Sequence, residues 1–497
     1  MTRLRRSRTE QAMAAIKARA VARGAGAGER LPSIRRLAAT LELSPSTVAE
    51  AYDRLVAEGF VRARPGAGYY LTGRAGPTVP LGAAAAPEAR AVDPFWVSRQ
   101  SLDASDAMLK PGCGWLPAGW MPHEGLRRAL RTLSRADDAL LADYGSTRGS
   151  SALRGLLLGR FAEEGLELAP DQLVLTGSGT QALDLVCRLL LRPGDAVLID
   201  DPCYFNFQAL LRAHGARVVG VPYAETGPDP AAFEAVVARE KPRLYLTNAA
   251  LHNPTGATLS PSRAHRILAI AARHDLTIVE DEIFADFEPE PSARLALLDG
   301  LDRVIRIGSF SKTLSASVRC GYVAARPDLV EAVVDLQIAT NFGGPSPVAA
   351  GLVAKLLAGG GYRKHLEQVR RRLAGTRREV AERLGTLGIR PWLMPRGGFY
   401  LWCALPGGLD AAQLSKLALA EGVVLAPGNV FSASQTAGAM MRFNVSQMAD
   451  RRIDAVLAGA LEVLRRHGPP AHSSGPALAD IAGGTPALAG TESVRKL

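Results

Sequence analysis

A lysine with hydroxyl and guanidinium neighbours stands in the segment SFSKTLSASVRCGY, residues 309 to 322. Lys312 lies three residues after Ser309, directly after Ser311 and seven residues before Arg319. A lysine amine forms a Schiff base with an aldehyde, while serine hydroxyls and a guanidinium suit a phosphate. The segment therefore predicts an anchor for an aldehyde cofactor that carries a phosphate. The alternative is an exposed lysine on a surface loop.

A carboxylate at the end of an apolar run supports the first interpretation. The run LTIVEDE, residues 276 to 282, is typical of a buried strand and places Asp281 near its end. A carboxylate there can pair with a pyridinium nitrogen, which keeps the ring protonated and able to accept electrons. Asn253, in NPTG, is a candidate donor to the phenolic oxygen of such a ring. Together with Lys312, these residues indicate pyridoxal 5'-phosphate.

A phosphate also needs backbone donors, and VLTGSGTQALDL, residues 174 to 185, predicts them. The pattern indicates a strand, a glycine-bearing turn and the start of a helix. The free N–H groups of a helix start bind anions. Gly179 and Thr180 are therefore candidate phosphate-binding residues.

The ordered series GSGTQAL, DPCYF, NPTG, DE-x-F, S-x-S-K and MRFNVS resembles the fold-type I aminotransferases that bind pyridoxal phosphate. The resemblance runs from about Phe95 to about His467. With the segment ahead of it, the chain resembles the MocR or GabR type of bacterial transcription regulator. That resemblance implies an α/β fold: an N-terminal winged helix-turn-helix of the GntR type, then a transferase-like large domain with a mostly parallel sheet, and a smaller α+β domain.

Three further site residues follow from the resemblance, each with a structural alternative. Tyr204, after DPC, matches the aromatic that stacks on the cofactor ring in relatives; ordinary packing is the alternative. Tyr144 matches a tyrosine that reaches the cofactor phosphate of the neighbouring subunit, unless it is a packed core aromatic. Arg442, in an apolar strand, calls for an anion, and we expect the carboxylate of an amino acid. A structural salt bridge is its alternative.

One position departs from the family pattern. Relatives carry a tyrosine three residues after the aspartate, where its hydroxyl bonds the phenolic oxygen of the cofactor; here the residue is Phe284. Phenylalanine cannot donate, which leaves Asn253 as the remaining side-chain donor. We expect altered proton handling at Lys312, which argues against an efficient catalyst without excluding one.

Residues 30 to 73 predict a helix, a turn, a helix and a two-stranded wing, after a first helix over 9–22. The series LPS, RxLA, S-x-x-TV, AYxxL and EGF resembles the GntR-type winged helix, although Pro45 stands where these domains often carry a basic or polar residue. Hydroxyls at a helix start suit the major groove or phosphates, and an arginine at a wing tip suits a minor groove or phosphate. The candidate DNA contacts are Ser44, Ser46, Thr47, Arg64, and Arg35 with Arg36, for which simple solvation is the alternative.

Charge supports a polyanionic partner. The chain has a formal charge of +11, and residues 1 to 74 hold 14 Lys and Arg against 6 Asp and Glu. A basic terminal segment without a lipid-seeking helix favours double-stranded DNA over a membrane. A solvated basic surface is the alternative.

The sequence also predicts the limits of the domains and the cellular location of the protein. We predict a DNA-binding domain over 1–74, a linker over 75–94, an aminotransferase-like domain over 95–466 and a disordered tail over 467–497. Five scattered cysteines without C-x-x-C spacing argue against a disulfide framework or a metal site. With no apolar leader, we expect a cytoplasmic protein.

Three functions stay open. The first is a homodimeric transcription regulator that senses an amino acid or related amine as an external aldimine. The second is an active aminotransferase with an accessory DNA-binding domain. The third is a degenerate scaffold that holds no cofactor.

Overall fold

The computed structural model describes residues 7–22, 28–72, 92–105 and 107–467 of the 497-residue chain. They form two compact units, which divide between Ala89 and Arg90. The predicted linker lies outside the described residues up to position 91, and the predicted tail does so from position 468 onward. The domain limits therefore stay predictions, although Pro94 and His467 belong to helices.

Within residues 7–22 and 28–72, the smaller unit contains three helices and one hairpin: α1 (Arg8–Ala22), α2 (Ile34–Leu41), α3 (Pro45–Ala57), β1 (Val61–Arg64) and β2 (Gly68–Leu71). The hydroxyls of Ser33 and Ser44 accept N–H bonds from the first turns of α2 and α3. β1 and β2 pair antiparallel, and Gly66 takes the positive φ of 71° that their turn requires. The predicted winged helix is confirmed.

A single apolar stripe holds this unit together. The apolar face of α3 is fully buried and packs against α1 and α2. Tyr52 also stacks on Tyr69 of the wing, with ring centroids 4.2 Å apart. The opposite side of α3 stays open, which leaves its first turn accessible. The buried stripe comprises Val48, Ala51, Tyr52 and Leu55.

The larger unit contains fourteen helices within the described residues. They are α4 (Pro94–Asp103), α5 (His123–Leu133), α6 (Asp138–Ala142), α7 (Ser151–Glu163), α8 (Gly179–Leu190), α9 (Phe205–Ala213), α10 (Pro230–Glu240), α11 (Pro261–Arg273), α12 (Leu295–Asp299), α13 (Pro327–Asn341), α14 (Pro347–Ala358), α15 (Gly361–Thr386), α16 (Ala411–Ala420) and α17 (Arg452–His467). None of the described helices is long and apolar enough to cross a membrane.

Eight strands build the main sheet: β3 (Leu173–Thr176), β4 (Ala196–Asp201), β5 (Arg217–Ala224), β6 (Gly227–Pro228), β7 (Leu244–Thr247), β8 (Thr277–Asp281), β9 (Val304–Ser309) and β10 (Gly321–Ala324). Their order is β3-β10-β9-β8-β7-β4-β5-β6. The five central strands run parallel, while β10 is antiparallel to both of its neighbours. The mostly parallel sheet that the resemblance implies is confirmed.

A second, antiparallel sheet has the order β11-β12-β14-β13, with β11 (Arg390–Pro391), β12 (Tyr400–Ala404), β13 (Ala426–Pro427) and β14 (Met440–Asn444). It packs with α15, α16 and α17 around its own apolar core. This matches the expected smaller α+β domain. β14 carries Arg442 in its centre, paired in register with Trp402 of β12.

Candidate functional site

Parallel pairing of β8 and β9 places their carboxyl ends at one edge of the main sheet. Asp281 is the last residue of β8 and lies opposite Ile307 in β9, whose own end is Ser309. The chain then continues to Lys312. Residues that follow neighbouring parallel strands converge at such an edge, where ligands bind in open α/β sheets.

The Lys312 amine donates a 2.7 Å hydrogen bond to the carbonyl of Gly114. Its pKa is lowered to about 8, chiefly by burial; Arg442 and Arg319 act in the same direction, while Cys113 and Asp281 oppose them. The side chain remains partly exposed, so a ligand can reach it. A lower pKa raises the fraction of neutral amine, which is the form that attacks an aldehyde.

The surroundings of the Asp281 carboxyl suit a cationic group of a ligand. Its carboxylate accepts an N–H bond of 3.0 Å from Ile283, yet burial raises its pKa to about 7. Lys312 partly offsets this effect. A protonated ring nitrogen placed beside Asp281 would favour its ionised form.

Arg442 is 1 % exposed and pairs with no carboxylate among the described residues. It donates to the Asn253 side-chain oxygen at 2.9 Å and to the Gly112 carbonyl at 2.7 Å, while its Nε has no partner. The structural salt bridge considered above is therefore absent from the described part of the chain. Three aromatic rings lie around the guanidinium, those of Tyr400, Phe431 and Phe205.

The Asn253 bond has a second consequence. Because its oxygen accepts from Arg442, its amide nitrogen is the atom left to donate to a ligand. Its backbone N–H is fixed by the Asn248 side chain at 3.1 Å. The predicted cofactor donor and the predicted carboxylate receptor thus share one hydrogen bond.

The candidate phosphate residues surround the start of α8. A Cβ built on Gly179 would meet Ser309 Cβ at 3.5 Å, so these two segments touch. The Ser309 hydroxyl lies 2.9 Å from that of Ser311, and Thr180 is exposed. Arg319 is exposed as well and adopts a left-handed φ of 49°, which is uncommon outside glycine.

Two predicted aromatics have different surroundings. Tyr204 precedes α9 and lies near the site, since Arg442 and Asp281 both influence its pKa, which burial raises. Tyr144 is 79 % exposed and stacks on the exposed ring of Phe342 at 5.5 Å. It is not a packed core residue, contrary to the alternative considered for it.

Sequence reasoning missed three residues of this site. Ser178 caps α8, and its spacing to Gln181 is a recognisable helix-start signature. Gly114 and Tyr400 give no comparable signal: a Cβ built on Gly114 would lie 3.3 Å from the Tyr400 hydroxyl and 3.9 Å from the Lys312 amine. Phe284 is buried edge-on against Tyr400.

The candidate DNA contacts lie on the smaller unit. Arg35 and Arg36 are exposed on α2, and Arg64 is exposed on β1 with its guanidinium 4.6 Å from the Tyr70 ring. The Ser44 hydroxyl, which caps α3, lies within hydrogen-bond distance of the hydroxyls of Ser46 and Thr47. Ser46 is exposed, whereas Thr47 is half-buried.

Two family models match the chain. Residues 115–459 match the aminotransferase class I and II family, and residues 8–71 match the gntR family of bacterial regulatory proteins. Among curated proteins, the HTH-type transcriptional regulator YdcR of Escherichia coli is 30 % identical over 86 % of this chain and 93 % of its own. NorG of Staphylococcus aureus, also an HTH-type transcriptional regulator, is 24 % identical over 82 % and 93 %.

Solved structures resemble the larger unit. LysN, the α-aminoadipate aminotransferase of Thermus thermophilus, in complex with N-(5'-phosphopyridoxyl)-L-leucine, is 29 % identical. The alignment covers 75 % of this chain and 96 % of LysN, with a TM-score of 0.67. The kynurenine aminotransferase of Pyrococcus horikoshii is 24 % identical with a TM-score of 0.68, covering 76 % and 96 %, which supports the fold alone.

Proposed function

The chain belongs to the aminotransferase class I and II family and carries a gntR-family domain ahead of it, and we propose that it is a DNA-binding transcription regulator that uses pyridoxal 5'-phosphate to sense an amino acid or related amine. The carrying observation is that one chain combines a winged helix with a site in which Asp281 and Lys312 follow neighbouring parallel strands and the buried Arg442 lies close to Lys312. Such a regulator acts on DNA in the cytoplasm.

The residues fit the cofactor. Lys312 offers a partly exposed amine of lowered pKa, and Asp281 a carboxyl that a ring cation would ionise. Asn253 has a free amide donor, Ser309 lies beside the start of α8, and Arg319 offers an exposed guanidinium for a phosphate. The cofactor, when bound, supplies an aldehyde that captures amines and a ring that stabilises negative charge. The remaining predicted contacts are Gly179, Thr180, Ser311, Tyr204 and Tyr144 of a second subunit.

Arg442 gives the site its preference for amino acids. Its guanidinium is buried without a carboxylate, and its two neutral acceptors leave the positive charge uncompensated. An effector carboxylate would supply the missing anion. Amines that lack a carboxylate would leave Arg442 unpaired and bind less tightly.

Phe284 favours sensing over turnover. Relatives carry a tyrosine at this position, and its hydroxyl stabilises the phenolic oxygen of the cofactor. Phe284 has no hydroxyl and cannot make that bond. The second candidate function is an active aminotransferase. It is favoured by the Tyr400 hydroxyl, which lies close to Gly114, as does the Lys312 amine. That hydroxyl offers a substitute proton donor.

Cofactor attachment is tested by borohydride reduction, which fixes a Schiff base covalently. Lys312→Ala should abolish the reduced adduct and the long-wavelength absorbance of the bound cofactor. The control is Lys416→Ala, because Lys416 is exposed on α16 and makes no ion pair among the described residues. An adduct that persists on another lysine in Lys312→Ala would overturn the assignment. A wild-type protein that takes up no cofactor would favour the degenerate scaffold.

A further inference from the structure

Away from the site just described, the larger unit has a cleft of about 680 Å³ between the N-terminal part of α5 and one face of α15. Arg128 of α5 and Lys364 and Arg372 of α15 line it, and Glu124 is its one acidic lining residue. The cleft therefore carries a surplus of positive charge. Trp120 forms part of its wall and stacks on Arg372, whose guanidinium lies 3.8 Å from the ring centroid.

These cations have no counterions within the described part of the chain. Arg128 and Lys364 are exposed and make no ion pair among the described residues, and Arg372 lies over the Trp120 ring and makes no ion pair there either. The larger cleft of about 1030 Å³ offers a contrast, because three of its arginines, buried or half-buried, are neutralised. There, Arg160 pairs with Asp286, Arg294 with Glu288, and Arg306 with Glu282.

We propose that the cleft between α5 and α15 is a second DNA-contacting surface, which binds the phosphate backbone of duplex flanking the sites held by the winged helices. The inference rests on the proposed DNA-binding function. It assigns to the aminotransferase-like unit a direct role in holding DNA.

The arrangement of charges favours a polyanion over a small anionic ligand. Arg131 and Arg135 extend the row from Arg128 along and beyond α5, and both are exposed and without ion pairs in the described residues. Lys364 and Arg372 are eight positions apart, or about 12 Å along a helix. Duplex DNA presents one phosphate per about 1.7 Å of its axis, so rows of this length meet several phosphates. Small-molecule sites instead bury most of the ligand with a few converging polar groups.

The cleft also contacts the cofactor-anchoring segment. Leu314, two residues beyond Lys312, lines it. The ring of His365, another lining residue, donates a 2.9 Å hydrogen bond to the Thr313 carbonyl. DNA held here would lie against the segment that responds to an effector at Lys312.

The test uses the full chain and a duplex recovered by it from a random library, in a short form and in a form extended on both sides. The double variant Arg128→Gln/Lys364→Gln removes two cations without disturbing the Trp120 stack. The matched control is Arg99→Gln/Lys416→Gln, which removes one exposed arginine and one exposed lysine without ion pairs from α4 and α16. Binding is measured over a series of salt concentrations, with light scattering for subunit assembly.

The wild type should bind the extended duplex more tightly than the short one. The cleft variant should bind the two duplexes with similar affinity. Its plot of log affinity against log salt concentration should have a slope less steep by about 2, as expected for two lost phosphate contacts. Equal behaviour of the two double variants would overturn the inference while leaving the proposed function intact. Dissociation of the cleft variant into monomers would overturn it in favour of an interface between copies. If the wild type itself bound neither duplex, the proposed function would fail as well.

Discussion

Arg442 donates a hydrogen bond of 2.9 Å to the side-chain oxygen of Asn253, which joins the small antiparallel sheet to the NPTG loop of the main sheet. The two residues are 189 positions apart. The Asn253 amide accepts from Arg442 through its oxygen, which leaves its nitrogen to donate to a cofactor. A ligand carboxylate that binds Arg442 would therefore also affect Asn253. We therefore propose that this hydrogen bond couples effector binding at Arg442 to the cofactor site.

The first prediction concerns effector selectivity. Arg442→Lys keeps the charge but loses the planar fork, so affinity for amino acids should fall about 10- to 100-fold, the equivalent of about 1.5–3 kcal/mol for bonds to a charged group. Affinity for the matching decarboxylated amines should change little. Titration of the cofactor absorbance with each pair of compounds measures both. Equal losses for the two classes would show that Arg442 acts on the fold and not on the carboxylate.

The second prediction concerns pH and is made for protein freed of cofactor. The folded-state pKa of Asp281 is about 7, above the usual value of about 3.9, so the folded state binds this proton more tightly. Protonated Asp281 therefore contributes stability that is fully present below about pH 4 and is lost as pH rises through about 7. Because asparagine cannot ionise, the free energy of unfolding of the Asp281→Asn variant should increase relative to that of the wild type as pH rises over that range. Denaturant unfolding at several pH values measures the difference.

The exposed Asp302 provides the control, since Asp302→Asn makes the same chemical change at a surface position without an ion pair in the described residues. If Asp281→Asn behaved like Asp302→Asn, Asp281 would not be the buried carboxyl that the structure indicates.

The third prediction separates folding from DNA contact in the winged helix. Ser44 caps α3, and Ser44→Ala should lower the stability of the smaller unit by about 1 kcal/mol. Ser46 is exposed and is not the cap, so Ser46→Ala should leave thermal unfolding nearly unchanged and weaken DNA binding. Unaltered DNA affinity in Ser46→Ala would remove it from the interface.

The fourth prediction concerns assembly and rests on Tyr144, whose exposed ring suits a contact with a second subunit. Tyr144→Phe should weaken cofactor binding about 10-fold or more, through loss of a phosphate hydrogen bond. Heterodimers of Tyr144→Phe with Lys312→Ala should recover one intact site per dimer. No recovery in mixed dimers, or a monomer loaded with cofactor, would contradict a shared site.

Local signals in the sequence were sufficient for most of the fold. The apolar run at residues 276–282 predicted β8 because a strand of a parallel sheet is buried on both faces. The position of Ser44 indicated the start of α3, where its hydroxyl satisfies a free N–H group. Gly114 and Tyr400 were not predicted, since the contact of Gly114 with Lys312 spans 198 positions and has no motif.

The central claim is that an effector at Lys312 changes how the protein holds DNA. The most direct measurement is DNA binding and bending on duplexes with two half-sites at varied spacing, with and without amino acids, for the cofactor-loaded wild type and for Lys312→Ala. The wild type should require two half-sites and change its preferred spacing or DNA bend when the effector is added, whereas Lys312→Ala should not respond. A wild-type protein that binds one half-site as tightly as two under every effector condition, or a response retained by Lys312→Ala, would contradict the account.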